Sequence, residues 1–338
     1  MKVKGYSGYH RRRKKQKVLV TLVLVAVVLL CGGFLLLQNY FIYDDSGKIR
    51  LDLPFFDRAE ETPPLSDDEV NIDFVTPPEG ETVVSSLQPV KELHARLVGS
   101  LVLTRDPIKT LESTPEEDIV IEVKRVNGSI TYASEAAIPA EVEVAQGDTM
   151  ANLKTILAGD KYVVARMSTF CDSYFVRAYR DAALCRDNGG YWYDADSRTW
   201  LDPTHPQTVA YITGLCQELA ALGFDELMLD HFAYPVTGNT GAIDGLAQTD
   251  REAVLADFAA ALRANLPEDT VLGIVLRNNL DTEDGIDAAL ITQYFDRVYV
   301  TSNVDVAALQ EALGEDYGGE RFVTITGRAA ETGGYMIG

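Results

Sequence analysis

The sequence predicts a parallel α/β fold, a TIM-type (β/α)8 barrel, on three observations. From about Val90 to the C-terminus, short apolar runs alternate with helical patterns, as parallel strands joined by crossover helices do. Seven such runs are clear and Gly334 to Gly338 offers an eighth, a number that favours a barrel over an open doubly wound sheet. No G-x-G-x-x-G follows any strand, so the usual dinucleotide argument is absent.

The segments before the barrel are read from charge and hydropathy. Residues 1–17 form a basic head with eight Lys or Arg and no acid. Val18 to Leu37 is twenty residues without a charge, enough to span a bilayer as a helix. The basic flank predicts a cytoplasmic N-terminus. A cleaved signal peptide fits less well, because the run is long and Gln38 to Phe41 gives no small-residue cleavage site. Cys31 suggests a lipoprotein, but Leu30 stands where that peptidase wants a small residue. The expectation is a single-pass cell-membrane protein with an extracellular C-terminal domain. Residues 38–89 read as an acidic, Pro-rich linker, with Pro63-Pro64, Asp67-Asp68-Glu69 and Pro77-Pro78 opposing a packed core.

Residues 90–338 then supply the barrel. The first strand is expected at Leu97 to Leu103 and the second at Ile119 to Lys124, with a turn at Asn127-Gly128. A helix over Asp148 to Ala158 ends at Gly159, the third strand covers Tyr162 to Met167, and Ser173 to Leu184 reads as helical. The helix Gln207 to Leu222 places Val209, Ile212, Cys216 and Leu219 on one face. Gly223 caps it and leads into a fourth strand, Glu226 to Leu229, which runs out at Asp230 and His231. A capping box, Thr249 to Glu252, starts a helix to about Leu266. Strands follow at Val271 to Leu276, Arg297 to Val300 and Phe322 to Ile325, with a helix over Val304 to Leu313. Little helical pattern separates strands one and two and no helix follows strand eight, so the barrel is expected to be trimmed or incompletely closed at that seam.

Totals exclude some functions. Net charge is -21, and without the basic head 22 basic groups face 51 acidic ones, a net -29. Such a body repels phosphates, which argues against nucleic acid as a partner. Cys171, Cys185 and Cys216 imply no disulfide framework, and the four histidines show no zinc spacing. Neither a metal nor a cofactor is signalled.

Barrel chemistry collects at the C-terminal ends of the strands. Those ends carry Glu122 and Lys124, then Arg166, Cys171 and Asp172, then Asp230 and His231, then Arg277, Asn278 and Asn279, then Thr301, Ser302 and Asn303, then Thr326 and Arg328. Facing carboxylates are what glycoside hydrolysis needs, one to protonate the leaving oxygen and one to attack or activate water. Each candidate has a structural reading as well. Asp172 precedes a helix and suits an N-cap; Glu122 suits an ion pair with Lys124 or Arg166; Arg166 and Arg277 suit the other half of such pairs. Asp230 is hardest to assign to structure, because an acid after Leu-Met-Leu is unfavourable unless paired or used. The loop Gly189 to Trp200 holds both tryptophans, Trp192 and Trp200, which either stack on sugar rings or fill the loop's own core. Asp194-Ala-Asp196 lacks the glycine and closing glutamate of a calcium loop.

Three motifs carry a family resemblance. They are Tyr162-Val-Val-Ala-Arg-Met-Ser-Thr-Phe-Cys-Asp172, Trp200-Leu-Asp-Pro203 and Leu222-Gly-Phe-Asp-Glu-Leu-Met-Leu-Asp-His-Phe-Ala-Tyr-Pro235. With Val120-Ile-Glu-Val-Lys124 and its following turn, they resemble the bacterial putative glycoside hydrolase TIM-barrel family, distantly like the α-amylase clan. The resemblance covers about Val90 to Gly338 and is densest between Tyr162 and Pro235. It implies a barrel acting on a polysaccharide outside the cell and marks Glu122, Lys124, Arg166, Asp172 and Asp230. The chain departs from the pattern where Ala233 replaces an arginine, where Glu122 replaces an aspartate, and after strand five, where no acid precedes Asp281 although an amylase-like enzyme would place its acid/base there.

These readings converge on a membrane-anchored extracytoplasmic glycoside hydrolase of a polysaccharide or cell-wall glycan. Asp230 would act with Glu122 or Asp172, and Lys124, Arg166, His231, Tyr234, Arg277, Asn278, Trp192 and Trp200 would hold substrate. The alternative is a non-catalytic carbohydrate-binding or wall-associated barrel with a degenerate site. Two mouth carboxylates about 5–10 Å apart across an open cleft favour the first; Asp230 locked by Arg166 or Arg277 in a closed mouth counts against hydrolysis.

Overall fold

A computed structural model describes residues 41–43, 49–51 and 87–338 apart from 281 and 316. The basic head and the transmembrane segment expected at 18–37 lie outside the described residues, and among the described residues no helix is long and apolar enough to cross a membrane. Within the stretch expected to be a linker, Phe41–Tyr43 and Ile49–Leu51 pair as an antiparallel hairpin.

In the C-terminal unit eight parallel strands close into a barrel. They are β1 (His94–Leu97), β2 (Asp118–Lys124), β3 (Tyr162–Ser168), β4 (Glu226–Asp230), β5 (Val271–Leu276), β6 (Arg297–Val300), β7 (Phe322–Thr326) and β8 (Gly334–Ile337). β8 pairs with both β7 and β1, so the seam expected to gape is closed by backbone hydrogen bonds. The first unit is nonetheless short. Its strand lies at 94–97 rather than 97–103, and the following apolar residues form a 3-10 turn, Ser100–Thr104, that sends Val102 and Leu103 into the outer core. A six-residue helix, α1 (Pro107–Glu112), then leads to β2.

The remaining helices are α2 (Thr149–Leu157), α3 (Phe175–Ala178), α4 (Pro206–Leu222), α5 (Arg251–Ala264), α6 (Ala288–Tyr294) and α7 (Val306–Leu313). α4 starts with Pro206, whose missing N–H is no loss there, and stops at Gly223 with φ 93°. The cap of α5 is Asp250, which accepts from Ala253 N, one residue later than the expected Thr249 box. The helix expected over 173–184 shrinks to α3 because Cys171 and Ala183 are drawn into bridges with Trp200 and Leu201.

Strand alternation sorts the side chains. Ala95, Val120, Val164, Met228, Val275, Tyr299, Val323 and Met336 fill the barrel interior. Ile119, Ile121, Val163, Ala165, Leu227, Leu229, Leu272, Ile274, Val298 and Val300 face outward into the core shared with the helices. Below the interior layer Glu226 accepts from Arg297 Nε at 3.0 Å, Tyr299 OH at 2.7 Å and Tyr162 OH at 3.1 Å. Gly273 leaves room for this floor, since a Cβ there would lie 2.7 Å from both Glu226 Oε1 and the Tyr299 ring. With floor and middle filled, the part of the barrel interior left for a ligand is the layer above, at the C-terminal ends of the strands.

Candidate active site

Two residues beyond the apolar layer, successive strands present charges of alternating sign: Glu122 on β2, Arg166 on β3, Asp230 on β4 and, just past β5, Arg277. Asp230 is the centre. Its Oδ1 accepts from Arg277 Nε and from the His231 backbone N–H, each at 2.9 Å. Its Oδ2 accepts from Arg166 Nη2 at 2.6 Å, Arg166 Nε at 3.2 Å and Arg277 Nη2 at 2.7 Å. Five donors exhaust the roughly four lone-pair positions of a carboxylate, and the residue is 1% exposed. Burial alone pushes the carboxyl up, but His231, Arg277 and Arg166 outweigh it and hold it well below the usual carboxylate range.

Glu122 is held more loosely. Its side chain is 28% exposed, and its oxygens lie 3.9 Å from Arg166 Nη1 and 3.9 Å from Arg125 Nε. Arg166 therefore stands between both mouth carboxylates. Arg125 was not marked by the sequence; its only signal is a position three residues past Glu122. Its Nη2 donates to Ser100 Oγ at 2.6 Å, bringing it over the loop after β1.

His231 follows at φ 55°, a left-handed conformation uncommon for a residue with a side chain. Its Nδ1 lies 3.2 Å from Asp230 Oδ1 and 3.4 Å from Ser168 Oγ, and its ring meets the Trp200 ring edge-to-face. Burial lowers its pKa, Asp230 opposes, and Arg277, Arg166 and Arg198 add to the fall, to about 4. The imidazole is neutral near pH 7.

Several other predicted residues are placed elsewhere. Strand alternation would put Lys124 beside Glu122, but the register slips between them: Glu122 pairs with Arg166 and Lys124 with Met167. This bulge turns Lys124 away from the mouth. Its Nζ lies 2.8 Å from Asp172 Oδ2 and donates to Ser168 O at 2.8 Å, close over the Tyr211 ring of α4. Asp172 is fully buried in that pair. Its Oδ1 accepts from the backbone N–H groups of Tyr174 and Phe175 at 2.9 and 2.8 Å, the capping geometry that its position before a helix suggests. Gly128, φ 96°, passes so close that a Cβ would lie 2.0 Å from Asp172 Oδ1. Asp172 and Lys124 thus brace the loops after β2 and β3, and both side chains are buried.

The aromatic loop packs on itself. Trp192 is 1% exposed and donates to Asn239 O at 2.7 Å; Trp200 donates to Asp194 Oδ2 at 3.1 Å. Asp194 Oδ1 accepts from the backbone of Asp196 and Arg198, so its oxygens are occupied within the loop. Among the described residues no group of acids, histidines and cysteines could hold a metal ion. Tyr234 is buried, and its backbone N–H donates to Asp284 O at 2.8 Å. Asn278 donates to Asp284 Oδ2 at 3.3 Å. Asp284 is an acid after β5 that the sequence did not mark; it is buried, and burial pushes its carboxyl up. The exposed large apolar side chains among the described residues are Leu101, Ile108, Tyr193 and Val236.

A family model described as "Putative glycosyl hydrolase domain" matches residues 93–308, from the start of the barrel into α7. The chain belongs to this family. Among solved structures, a hypothetical protein from Ruminiclostridium thermocellum is 24% identical over 53% of this chain and 95% of that one, with a TM-score of 0.43. Ega3 from Aspergillus fumigatus, in complex with galactosamine, is 12% identical over 73% of this chain and 82% of that one, with a TM-score of 0.40. The glycoside hydrolase domain of PelA from Pseudomonas aeruginosa is 15% identical over 70% and 84%, also with a TM-score of 0.40. A search of curated proteins finds no match.

Proposed function

We propose that this chain is a glycoside hydrolase held at the outer face of the cell membrane by its N-terminal segment, cutting a polysaccharide or wall glycan at the barrel mouth with Asp230 and Glu122. The observation that carries the reading is the sharing of Arg166 by two mouth carboxylates in different environments. Asp230 is kept ionised, which suits a group facing the positive charge that develops on the sugar ring. Glu122 is partly exposed and loosely paired, which suits a group that gives a proton to the leaving oxygen and later takes one from water.

A specific observation favours a second reading. With both oxygens of Asp230 saturated by five donors, its basicity is low, as in a carbohydrate-binding barrel that keeps the groove without turnover. Incubating the full chain in detergent with wall polysaccharides separates the two. Under the first reading Asp230→Asn and Glu122→Gln each reduce sugar release by about 10²–10⁴. Binding of glycan with no release by any variant selects the second, and equal release by wild type and Asp230→Asn removes Asp230 from the mechanism.

A further inference from the structure

Charge at the mouth opposes charge on the rest of the molecule. The chain beyond its basic head is acidic by 29 charges, yet among the described residues the guanidiniums of Arg125, Arg166 and Arg277 at the mouth pair with two carboxylates, Glu122 and Asp230. The excess is also accessible: the Arg125 and Arg277 side chains are 44% and 43% exposed. A guanidinium has five N–H donors. Arg277 gives two to Asp230 and Arg125 gives one to Ser100 Oγ, and the rest have no hydrogen-bond partner among the described residues. Beside Arg277, at the end of β6, the Thr301 backbone N–H donates to Leu276 O, while its Oγ1 is buried without a partner among the described residues. A hydroxyl in this state is open to a bond from a water or a bound group.

Resting on the hydrolase reading, we infer that the glycan is anionic. Its carboxylate or phosphodiester groups take the free edges of Arg277 and Arg125 while its sugar ring lies over Asp230. Arginine suits this role because its planar fork matches both anions, and Arg277 has three N–H donors beyond the two it gives Asp230 with which to engage one. The acidic surface elsewhere repels a polyanion, so attraction is confined to the mouth and weakens with salt.

The test measures binding and cleavage separately, with the full chain in detergent. The probes are oligoglucuronates and oligogalacturonates, their neutral methyl esters, and a poly(glycerol phosphate) chain. An acid form bound about tenfold tighter than its ester supports the inference, as does a preference that collapses in 0.5 M salt, at about the strength of one charge-assisted bond. In Arg125→Gln the acid-to-ester affinity ratio falls by about the same factor, whereas Arg125→Lys keeps most of it, which separates charge from misfolding. Tight, salt-sensitive binding of the glycerol phosphate chain alone supports the inference and identifies phosphate as the anion. Esters bound as well as acids, or no anionic probe bound, overturns it. Release of sugars from neutral wall polysaccharide in either case leaves the hydrolase reading standing, whereas acid-selective binding with no release of any sugar keeps the anionic ligand and removes the hydrolase reading.

Discussion

Replacing Arg277 with methionine tests whether paired guanidiniums hold Asp230 ionised. The change keeps an apolar stem and removes two hydrogen bonds, at 2.9 and 2.7 Å. Bonds to charged groups contribute about 1.5–3 kcal/mol each in protected sites. The Arg277 side chain is 43% exposed, so screening reduces the pair to about 2 kcal/mol in total. Arg166 and the His231 N–H still bond the carboxylate, so it stays ionised at neutral pH while its pKa moves part of the way back toward about 3.9. A carboxyl depressed in the fold contributes stability that is fully present above its unfolded value and is lost as pH falls through its folded value. The difference between wild type and Arg277→Met is therefore full above about pH 5 and shrinks as pH falls below about 3. Urea unfolding followed by tryptophan fluorescence reports this directly, since Trp192 and Trp200 both lie in the barrel's loops. A difference that stays constant from about pH 2 to 7 would show that Arg277 is not what holds the carboxylate ionised.

Three further outcomes follow from single contacts. Gly128→Ala places a methyl 2.0 Å from Asp172 Oδ1 at φ 96°, so it either displaces the buried Lys124–Asp172 pair or strains the turn. A loss of about 3–5 kcal/mol is expected, and an unchanged thermal midpoint would contradict the assigned bracing role. Trp192→Ala removes a side chain that is 1% exposed, so it lowers stability by about 3–5 kcal/mol; unaltered stability with weakened glycan binding would move Trp192 back to the substrate. The His231 imidazole, with a pKa of about 4, shows no titration step between about pH 5.5 and 8 in proton–nitrogen NMR, and a midpoint near 6.5 would mean that it is more solvated than its contacts indicate.

Much of the barrel was legible because its strands are buried on both faces and written as short apolar runs between glycine and proline stops. β2 to β8 fall where those runs predict them. β1 did not, since the run from Leu97 continues into a 3-10 turn whose apolar residues serve the outer core rather than the sheet. At the mouth, Glu122, Arg166, Asp230 and Arg277 were legible as charged residues at the C-terminal ends of apolar runs, the first three also from the family resemblance. Lys124 was not, because one inserted residue in β2 inverts the alternation and sequence does not reveal a bulge. Asp172 and Trp192 carried a structural reading from the start, capping for one and loop packing for the other, and their partners supply it. Arg125 and Asp284 were missed because each acts from a loop whose path depends on tertiary contacts.

The arrangement at Asp230 can be weighed by what a ligand would have to displace. If the carboxylate must attack carbon, at least one of five donors has to loosen as the ring arrives. Arg277 is the natural one, since it is the more exposed guanidinium, 43% against 21% for Arg166. An anionic substituent on the sugar gives Arg277 a second acceptor and draws it outward, and the carboxylate it leaves is still kept ionised by Arg166. A neutral sugar offers no such exchange and meets a carboxylate that stays fully bonded. The substrate's charge and the site's competence are then linked: a barrel that binds neutral glycans here without cutting them, and cuts acidic ones, has an active site that is assembled by its substrate. A mouth that binds acidic glycans while Arg277 and Asp230 keep their spacing is a binding site.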